Sequence, residues 1–106
     1  MQRETELFTR EDADSVFCTL GGYCEKRGNS VMRSRKYYKL TVEFMDNDVA
    51  LTTNIEIKRV SEEEKGGDVK CVEFVRVKGD FFLFYEVFRE MSEYLGGLVY
   101  KNECES

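Results

Sequence analysis

The alternation of apolar and polar residues is clearest over residues 69–77, where β-branched and aromatic side chains predict a strand. Gly79 and Asp80 follow it and predict a turn and the capping residue of a helix. The next apolar residues recur at steps of three and four, which predicts a helix that Gly96 and Gly97 end. These residues are Phe81, Phe84, Phe88, Met91 and Leu95. We expect this helix to supply the largest single share of the core.

Arg76 stands out within this strand. If Val72 and Phe74 point toward the core, a two-residue period sends Arg76 to the same side. A buried, unpaired guanidinium is unfavourable, so Arg76 should lie at the rim of the sheet or pair with an acid. Either the alternation slips at a bulge and Arg76 is solvated, or Arg76, Lys78 and the turn present a recognition surface.

A second apolar stripe at helical spacing predicts a first helix over residues 10–27. The stripe consists of Ala13, Val16, Phe17, Leu20 and Cys24. Thr9 is the expected N-cap, with Asp12 three residues later as in a capping box. Gly28, which follows two basic residues, predicts the end of the helix.

Between the two helices, residues 30–35, 38–45 and 49–60 predict three further strands. The turn at Asp46, Asn47 and Asp48 should join the last two as an antiparallel hairpin. Residues 61–68 indicate a charged loop, and residues 98–100 a docked segment or a short edge strand. The whole pattern predicts one domain over residues 1–106. Its fold class is α+β, a two-layer sandwich with an antiparallel sheet of about four to five strands and both helices packed on one face.

Charge and composition narrow the class of partner. The chain of 106 residues has a formal net charge of −5, which argues against nucleic-acid binding. Residues 26–39 hold six basic residues and no acid, namely Lys26, Arg27, Arg33, Arg35, Lys36 and Lys39. They form either a patch for an anionic partner or solvated faces of a strand and a helix end. Without an apolar run of about 20 residues or a signal-peptide core, we expect an intracellular protein.

Catalytic and metal-binding patterns are missing from the sequence. The chain has no histidine, so the usual general base and the Ser-His-Asp and Cys-His pairs are excluded. Its four cysteines show no CxxC spacing, and we expect reduced, mostly buried thiols. Paired acids such as Asp46 and Asp48 suit turn chemistry. We therefore expect a module that is not an enzyme and that takes no metal and no cofactor.

Two stretches together resemble the C-terminal kinase-associated domain-1 of the checkpoint kinase 1 family. The first runs from Leu7-Phe8-Thr9-Arg10 through Asp12-Ala13-Asp14 to Cys24-Glu25-Lys26-Arg27-Gly28. The second runs from Phe74 through Lys78-Gly79-Asp80 to Phe84 and Phe88. The resemblance covers about residues 7–95 and includes the order of elements: helix, antiparallel strands, final helix.

This resemblance implies a regulatory function. In that family the domain follows a serine/threonine kinase domain, holds it inactive by intramolecular contact, and is released during DNA-damage signalling in the cell cycle. The implied localisation is the nucleus and cytoplasm. The residues that it implies for kinase-domain contact are Leu7, Phe8, Thr9, Arg10, Arg76, Lys78, Gly79, Asp80 and Phe82. The two motifs would form one surface if the strand and the start of the first helix are neighbours.

Two alternatives remain from the residues and from related domains. One is a membrane-binding module that contacts anionic phospholipid through Arg33, Arg35, Lys36 and Lys39. The other is a structural protein–protein interaction domain of unrelated ancestry. In each case we expect a monomer.

Overall fold

The computed structural model describes residues 5–60, 69–96 and 99–100. The two helices and four strands that the sequence pattern predicts are present in it. In chain order the elements are β1 (Glu6–Thr9), α1 (Ala13–Lys26), β2 (Ser30–Ser34), a 3-10 turn (Arg35–Tyr37), β3 (Lys39–Asp46), β4 (Val49–Arg59), β5 (Lys70–Gly79), α2 (Phe81–Tyr94) and β6 (Val99–Tyr100). Strands β2 to β5 confirm the four strand predictions to within two residues at each end. The predicted loop at residues 61–68 lies outside the described residues, as does Leu98.

The six described strands form one antiparallel sheet in the order β2-β3-β4-β5-β1-β6. Strands β3 and β4 are joined by Asn47 and Asp48, whose φ angles are 49° and 68°. Positive φ at both central positions is the requirement of a type I′ turn, which matches the twist of the flanking strands. The predicted hairpin is confirmed.

The core forms where the two-residue period of the strands meets the buried sides of the helices. Buried residues of β3 and β4 pair across the register as Leu40–Ile55, Val42–Thr53 and Phe44–Leu51. Phe17 of α1 and Phe84 of α2 belong to the same core cluster as these strand residues. The helices also contact one another, since the ring centroids of Tyr23 and Tyr94 are 4.2 Å apart. The predicted α+β class with an antiparallel sheet is confirmed.

Strand β1 was not predicted, and it is the largest departure from the sequence pattern. It lies antiparallel beside the first half of β5, with Leu7 opposite Val72 and Thr9 opposite Lys70. Leu7 and Thr9 are buried. Four residues are too short a stretch for a period to be recognised, so the pairing with β5 decides that this segment is a strand.

The first helix starts later than predicted because a different residue caps it. Thr9 is a strand residue whose Oγ1 accepts a hydrogen bond from the backbone N of Glu11 at 3.0 Å. Asp12 is the N-cap, since its side chain accepts a hydrogen bond from the backbone N of Ser15 at 3.3 Å. The helix therefore begins at Ala13, and the prediction of Thr9 as the cap is wrong.

Helix α2 buries the predicted side only in part. Phe81 is 51% exposed and Phe88 is only partly buried. Phe84, Met91 and Leu95 are buried as expected, and they are joined by Leu83 and Val87. Leu83, Val87, Met91 and Leu95 follow one another at steps of four, which is as regular as the predicted stripe that begins at Phe81. The sequence period was therefore compatible with burial of either stripe. Packing against the sheet selected the aliphatic stripe and left Phe81 outside the core.

Both helices are short. Each spans 14 residues, which corresponds to about 21 Å at 1.5 Å per residue. Within the described parts of the chain, no helix combines the length and the apolar character needed to cross a membrane.

The predicted end of α1 is confirmed. Gly28 has a φ angle of 91°, and the backbone N of Asn29 donates a hydrogen bond to the carbonyl oxygen of Cys24 at 3.0 Å.

Candidate docking surface at the corner between β5 and α2

A bulge in β5 lies directly beside Arg76. The register between β4 and β5 shifts by one residue, with Thr52 opposite Lys78 and Thr53 opposite Arg76, which leaves Val77 as the extra residue. Bulges twist a strand locally and change the direction of its side chains. Arg76 immediately precedes the extra residue and is exposed, so its guanidinium is solvated as one of the two interpretations expected.

The exposed guanidinium of Arg76 is nevertheless held in place. Its Nη1 donates a hydrogen bond to the carbonyl oxygen of Gly79 at 3.1 Å. Its Cζ lies 5.2 Å from the centroid of the Phe81 ring, within the range of a cation–π contact. The positive charge of Arg76 is therefore exposed while its guanidinium contacts the Phe81 ring and the Gly79 carbonyl.

Gly79 allows the strand to turn directly into the helix. Its φ is 113°, and a Cβ at this position would lie 2.4 Å from the carbonyl oxygen of Ala50. The same carbonyl accepts a hydrogen bond from the backbone N of Asp80 at 3.0 Å. Asp80 then caps α2, since its carboxylate accepts a hydrogen bond from the backbone N of Leu83 at 2.8 Å. The prediction of a turn and a cap at this point is confirmed.

The start of α2 exposes three aromatic rings, one of which contacts Arg76. Phe82 is 79% exposed, and Phe81 and Tyr85 also face solvent. Phe81 and Tyr85 stack edge to face with centroids 5.0 Å apart. We call Arg76, Val77, Lys78, Phe81, Phe82 and Tyr85 the corner surface. Aromatic and arginine side chains together are typical of protein interfaces.

The structure separates the two motifs that the resemblance joins. Strand β1 is a neighbour of β5, but it pairs with the first half of β5, from Lys70 to Glu73. Arg76 lies six residues beyond Lys70 in β5, which corresponds to about 20 Å along a strand. Leu7–Arg10 and the corner surface therefore do not form one compact patch.

The residues of the first motif also differ in accessibility. Leu7 and Thr9 are buried in the core, where they cannot contact a partner directly. Phe8 is partly buried, and Arg10 is exposed. Of the second motif, Arg76, Lys78, Gly79, Asp80 and Phe82 are all exposed. Most of the residues expected to contact a kinase domain that are exposed therefore lie at or next to the corner surface.

Intramolecular ion pairs occupy much of the basic segment. Arg33 Nη1 is 2.7 Å from Glu25 Oε2, and Arg35 Nη1 is 2.7 Å from Asp14 Oδ1. The hydrogen bond from Arg33 holds the pKa of the Glu25 carboxyl below its usual value. These pairs reduce the positive charge that is available to an anionic membrane.

The two lysines of the same segment differ from its arginines. Lys36 lies over the ring of Tyr37, with 5.4 Å between Nζ and the ring centroid, and Lys39 is partly buried. Four positions expected to form one basic patch thus comprise two paired arginines and two lysines in different environments.

One cluster of charged residues was not predicted. Arg27 donates two hydrogen bonds to Glu90, from Nε and from Nη2, both at 3.1 Å. Tyr23 also donates a hydrogen bond to Glu90, and Arg27 Nη2 lies 3.5 Å from Asp46. The cluster joins α1, α2 and the end of β3. No local pattern could reveal it, because 63 residues separate Arg27 from Glu90.

Electrostatics in this cluster indicate a structural role. The hydrogen bonds from Arg27 hold the pKa of Glu90 below its usual value. Burial, together with the hydrogen bond to Glu90, raises the pKa of Tyr23 to about 12. Both groups therefore keep a single protonation state near neutral pH, which suits a fixed contact between helices.

The three described cysteines differ in burial and in reactivity. Burial raises the pKa of the Cys24 thiol to about 12, so it remains protonated and unreactive. Cys71 is partly buried and Cys18 is exposed, which agrees with the expected burial only in part. Among the described residues, no three Cys, Asp or Glu side chains lie close enough to hold a metal ion.

Fold and surface together define a small α+β domain with an exposed aromatic and basic corner. No protein-family model matches the chain, and no curated protein matches it.

Proposed function

We propose that this domain is a regulatory module that docks onto a protein kinase domain through the corner surface and lowers its activity. The observation that carries the proposal is Phe82, whose ring is 79% exposed on the first turn of a capped helix. Arg76 and Lys78 are exposed near the end of the strand that leads into this helix. Large apolar side chains exposed next to cations mark interaction surfaces on many domains.

The arrangement of elements supports the choice of partner. A first helix, antiparallel strands and a final helix are the order that the resemblance to the kinase-associated domain-1 family implies, and α1, β2 to β5 and α2 follow this order here between the added strands β1 and β6. On this basis the partner is the catalytic domain of a checkpoint-type serine/threonine kinase in DNA-damage signalling, located in the nucleus and cytoplasm. The domain itself has no catalytic role in the proposal and acts as a monomer.

The contact need not be strong. When two domains belong to one chain, their effective concentration is about millimolar for short linkers, so an interface with weak intrinsic affinity can stay occupied. Phosphorylation of the connecting segment could then release it by a small change in free energy. A corner built from one strand end and one helix start is suitable, because backbone hydrogen bonds fix the geometry of both elements.

The test is inhibition of the catalytic domain of a checkpoint-type kinase by this domain added in trans. We expect the unmodified domain to lower the rate of phosphorylation of a peptide substrate. Phe82→Asp should raise the concentration needed for half-inhibition by about tenfold or more, which is typical of an interface hot spot. Arg76→Glu and Lys78→Glu should each weaken inhibition by smaller factors and increasingly at low salt.

Matched controls separate docking from general damage. Met32→Asp places the same charge on another exposed apolar residue, in β2 rather than at the corner. Lys26→Glu repeats the charge reversal at an exposed position at the end of α1. Equal loss of inhibition in controls and corner variants, or full inhibition by folded Phe82→Asp, would contradict the proposal.

The membrane alternative receives less support, because Arg33 and Arg35 already pair with carboxylates. Sedimentation with vesicles of phosphatidylcholine and phosphatidylserine tests it directly. Binding that fades with added salt and is lost in Lys36→Glu would favour a membrane module over a kinase-docking one.

A further inference from the structure

A small open cleft is lined by Phe82 and does not include Arg76 or Lys78. It separates the turn between β3 and β4 from the first turn of α2, and its volume is about 200 Å³. Small-molecule sites are usually about 300–1,000 Å³, so this cleft has room for a few side-chain groups rather than for a cofactor. The residues that line it include Asp46, Val49, Asp80, Phe82, Leu83 and Glu86.

The lining combines three carboxylates with apolar walls. Asp80 is used as the cap of α2, and Asp46 lies 3.5 Å from Arg27. Glu86 is exposed and makes no ion pair among the described residues. Val49 and Phe82 supply apolar surface that also faces solvent. The cleft is thus negative at its rim and apolar along one side.

We propose that this cleft receives a lysine or arginine side chain of the docked partner, together with an adjacent apolar side chain. The inference rests on the proposed function and specifies the chemistry of the kinase-domain surface that the corner meets. The cation would lie near Glu86 and the carboxylate of Asp46, and its alkyl stem would lie on the ring of Phe82. Long basic side chains commonly bury their stems on apolar surface while their charge stays in water.

Charge complementarity favours this occupant over the other possibilities. An acidic side chain would meet like charge at Glu86, Asp46 and Asp80. A purely apolar side chain would leave Glu86 facing it without an ion pair, whereas Asp46 and Asp80 already contact Arg27 and the backbone N of Leu83. Arg76 and Lys78, at the end of β5, are not among the lining residues and carry the opposite charge. A partner that meets both features therefore needs a basic group for the cleft and an acidic group for these two cations.

The cleft can be tested without the kinase. Uniformly ¹⁵N-labelled domain is titrated with N-acetyl-leucyl-arginine amide and, separately, with N-acetyl-leucyl-glutamine amide, while backbone amide shifts are recorded. We expect the arginine probe to shift the amides of Val49, Leu83 and Glu86 with a dissociation constant of about 1–10 mM, and the glutamine probe to bind at least threefold more weakly. Added salt should reduce this difference.

Two variants with the same change of net charge assign the effect to Glu86. Glu86→Lys should weaken binding of the arginine probe by about three- to tenfold, whereas Glu93→Lys, at an exposed position two turns later on α2, should leave it unchanged. Glu86→Gln gives a milder replacement whose effect should be intermediate. Equal binding of the two probes, or equal effects of Glu86→Lys and Glu93→Lys, would overturn the inference.

The kinase assay distinguishes this inference from the proposed function. If Phe82→Asp relieves inhibition and Glu86→Lys does so as well, both stand. If Phe82→Asp relieves inhibition but Glu86→Lys does not, the proposed docking stands and the inference about the cleft is overturned. If the unmodified domain fails to inhibit, the proposed function is lost, and the probe titration alone decides whether the cleft selects a basic side chain.

Discussion

Replacing Glu90 with glutamine measures how much the contact between the two helices stabilises the domain. The carboxylate accepts two hydrogen bonds from Arg27, at 3.1 Å each, and one from Tyr23. Glutamine keeps the size and one oxygen acceptor but loses the charge and the second acceptor. The bonds from Arg27 then lose their charge assistance and their forked geometry.

The expected magnitude follows from partial burial. A hydrogen bond to a charged group contributes roughly 1.5–3 kcal/mol, whereas an exposed ion pair contributes only about 0.2–1 kcal/mol. The side chain of Arg27 is 19% exposed and that of Glu90 is 43% exposed, so this pair is between the two cases. We expect Glu90→Gln to lower the free energy of unfolding by about 1–1.5 kcal/mol, which is a fall in Tm of about 4–10 °C for a domain of this size.

The dependence on pH has a definite sign. Because the pKa of Glu90 is lower in the folded protein than in the unfolded chain, its contribution is fully present above the unfolded pKa of about 4.3. That contribution is lost as the pH falls through the folded pKa, which lies below that value. The difference in stability between the unmodified domain and Glu90→Gln should therefore be largest at neutral pH and shrink below pH of about 4.

Urea unfolding followed by circular dichroism at several pH values provides the measurement. Glu93→Gln is the matched control, because Glu93 is exposed on the same helix and its side chain makes no ion pair among the described residues. A double-mutant cycle with Arg27→Met isolates the pairwise term from the packing of the arginine stem. A coupling free energy near zero, or a Glu90→Gln effect that is constant from neutral pH to pH of about 3, would refute the reasoning.

Three further substitutions test other parts of the fold by the same unfolding measurement. Gly79→Ala should destabilise the domain by about 2 kcal/mol or more, because φ is 113° and a Cβ would lie 2.4 Å from a carbonyl oxygen of β4; an unchanged midpoint would contradict this. Thr53→Val should stabilise it by about 1 kcal/mol, since the Thr53 hydroxyl is buried without a hydrogen-bond partner among the described residues; a loss of stability would indicate a partner. Gly22→Ala should add about 0.5–1 kcal/mol, because no atom lies within 4 Å of its Cβ position. Gly21→Ala should raise the free energy of unfolding by less than Gly22→Ala, since a Cβ there would lie 2.6 Å from the guanidinium of Arg33. Equal increases would show that the Arg33 side chain moves away at no cost.

The corner surface could be located from the sequence because local signals overlap there. Glycine followed by aspartate predicted the turn and the cap, and both carry those roles at Gly79 and Asp80. The alternation of apolar and polar residues in β5 indicated that Arg76 could not be buried like Val72 and Phe74. The bulge at Val77 lies beside it. Each of these signals acts within a few residues, so a sequence pattern can report it.

The sequence alone determined the class of the fold, the hairpin between β3 and β4, the ends of strands β2 to β5 to within two residues, and the start of α2. Each of these depends on backbone preferences or on a period within one segment of the chain. The tertiary structure decided the rest. Which stripe of α2 is buried depended on the sheet beneath it, and strand β1 exists because β5 offers it hydrogen-bond partners. The ion pairs of Arg27 and Arg33 and the acidic cleft beside Phe82 join residues from separate elements, and only the packed chain brings their charges within contact distance.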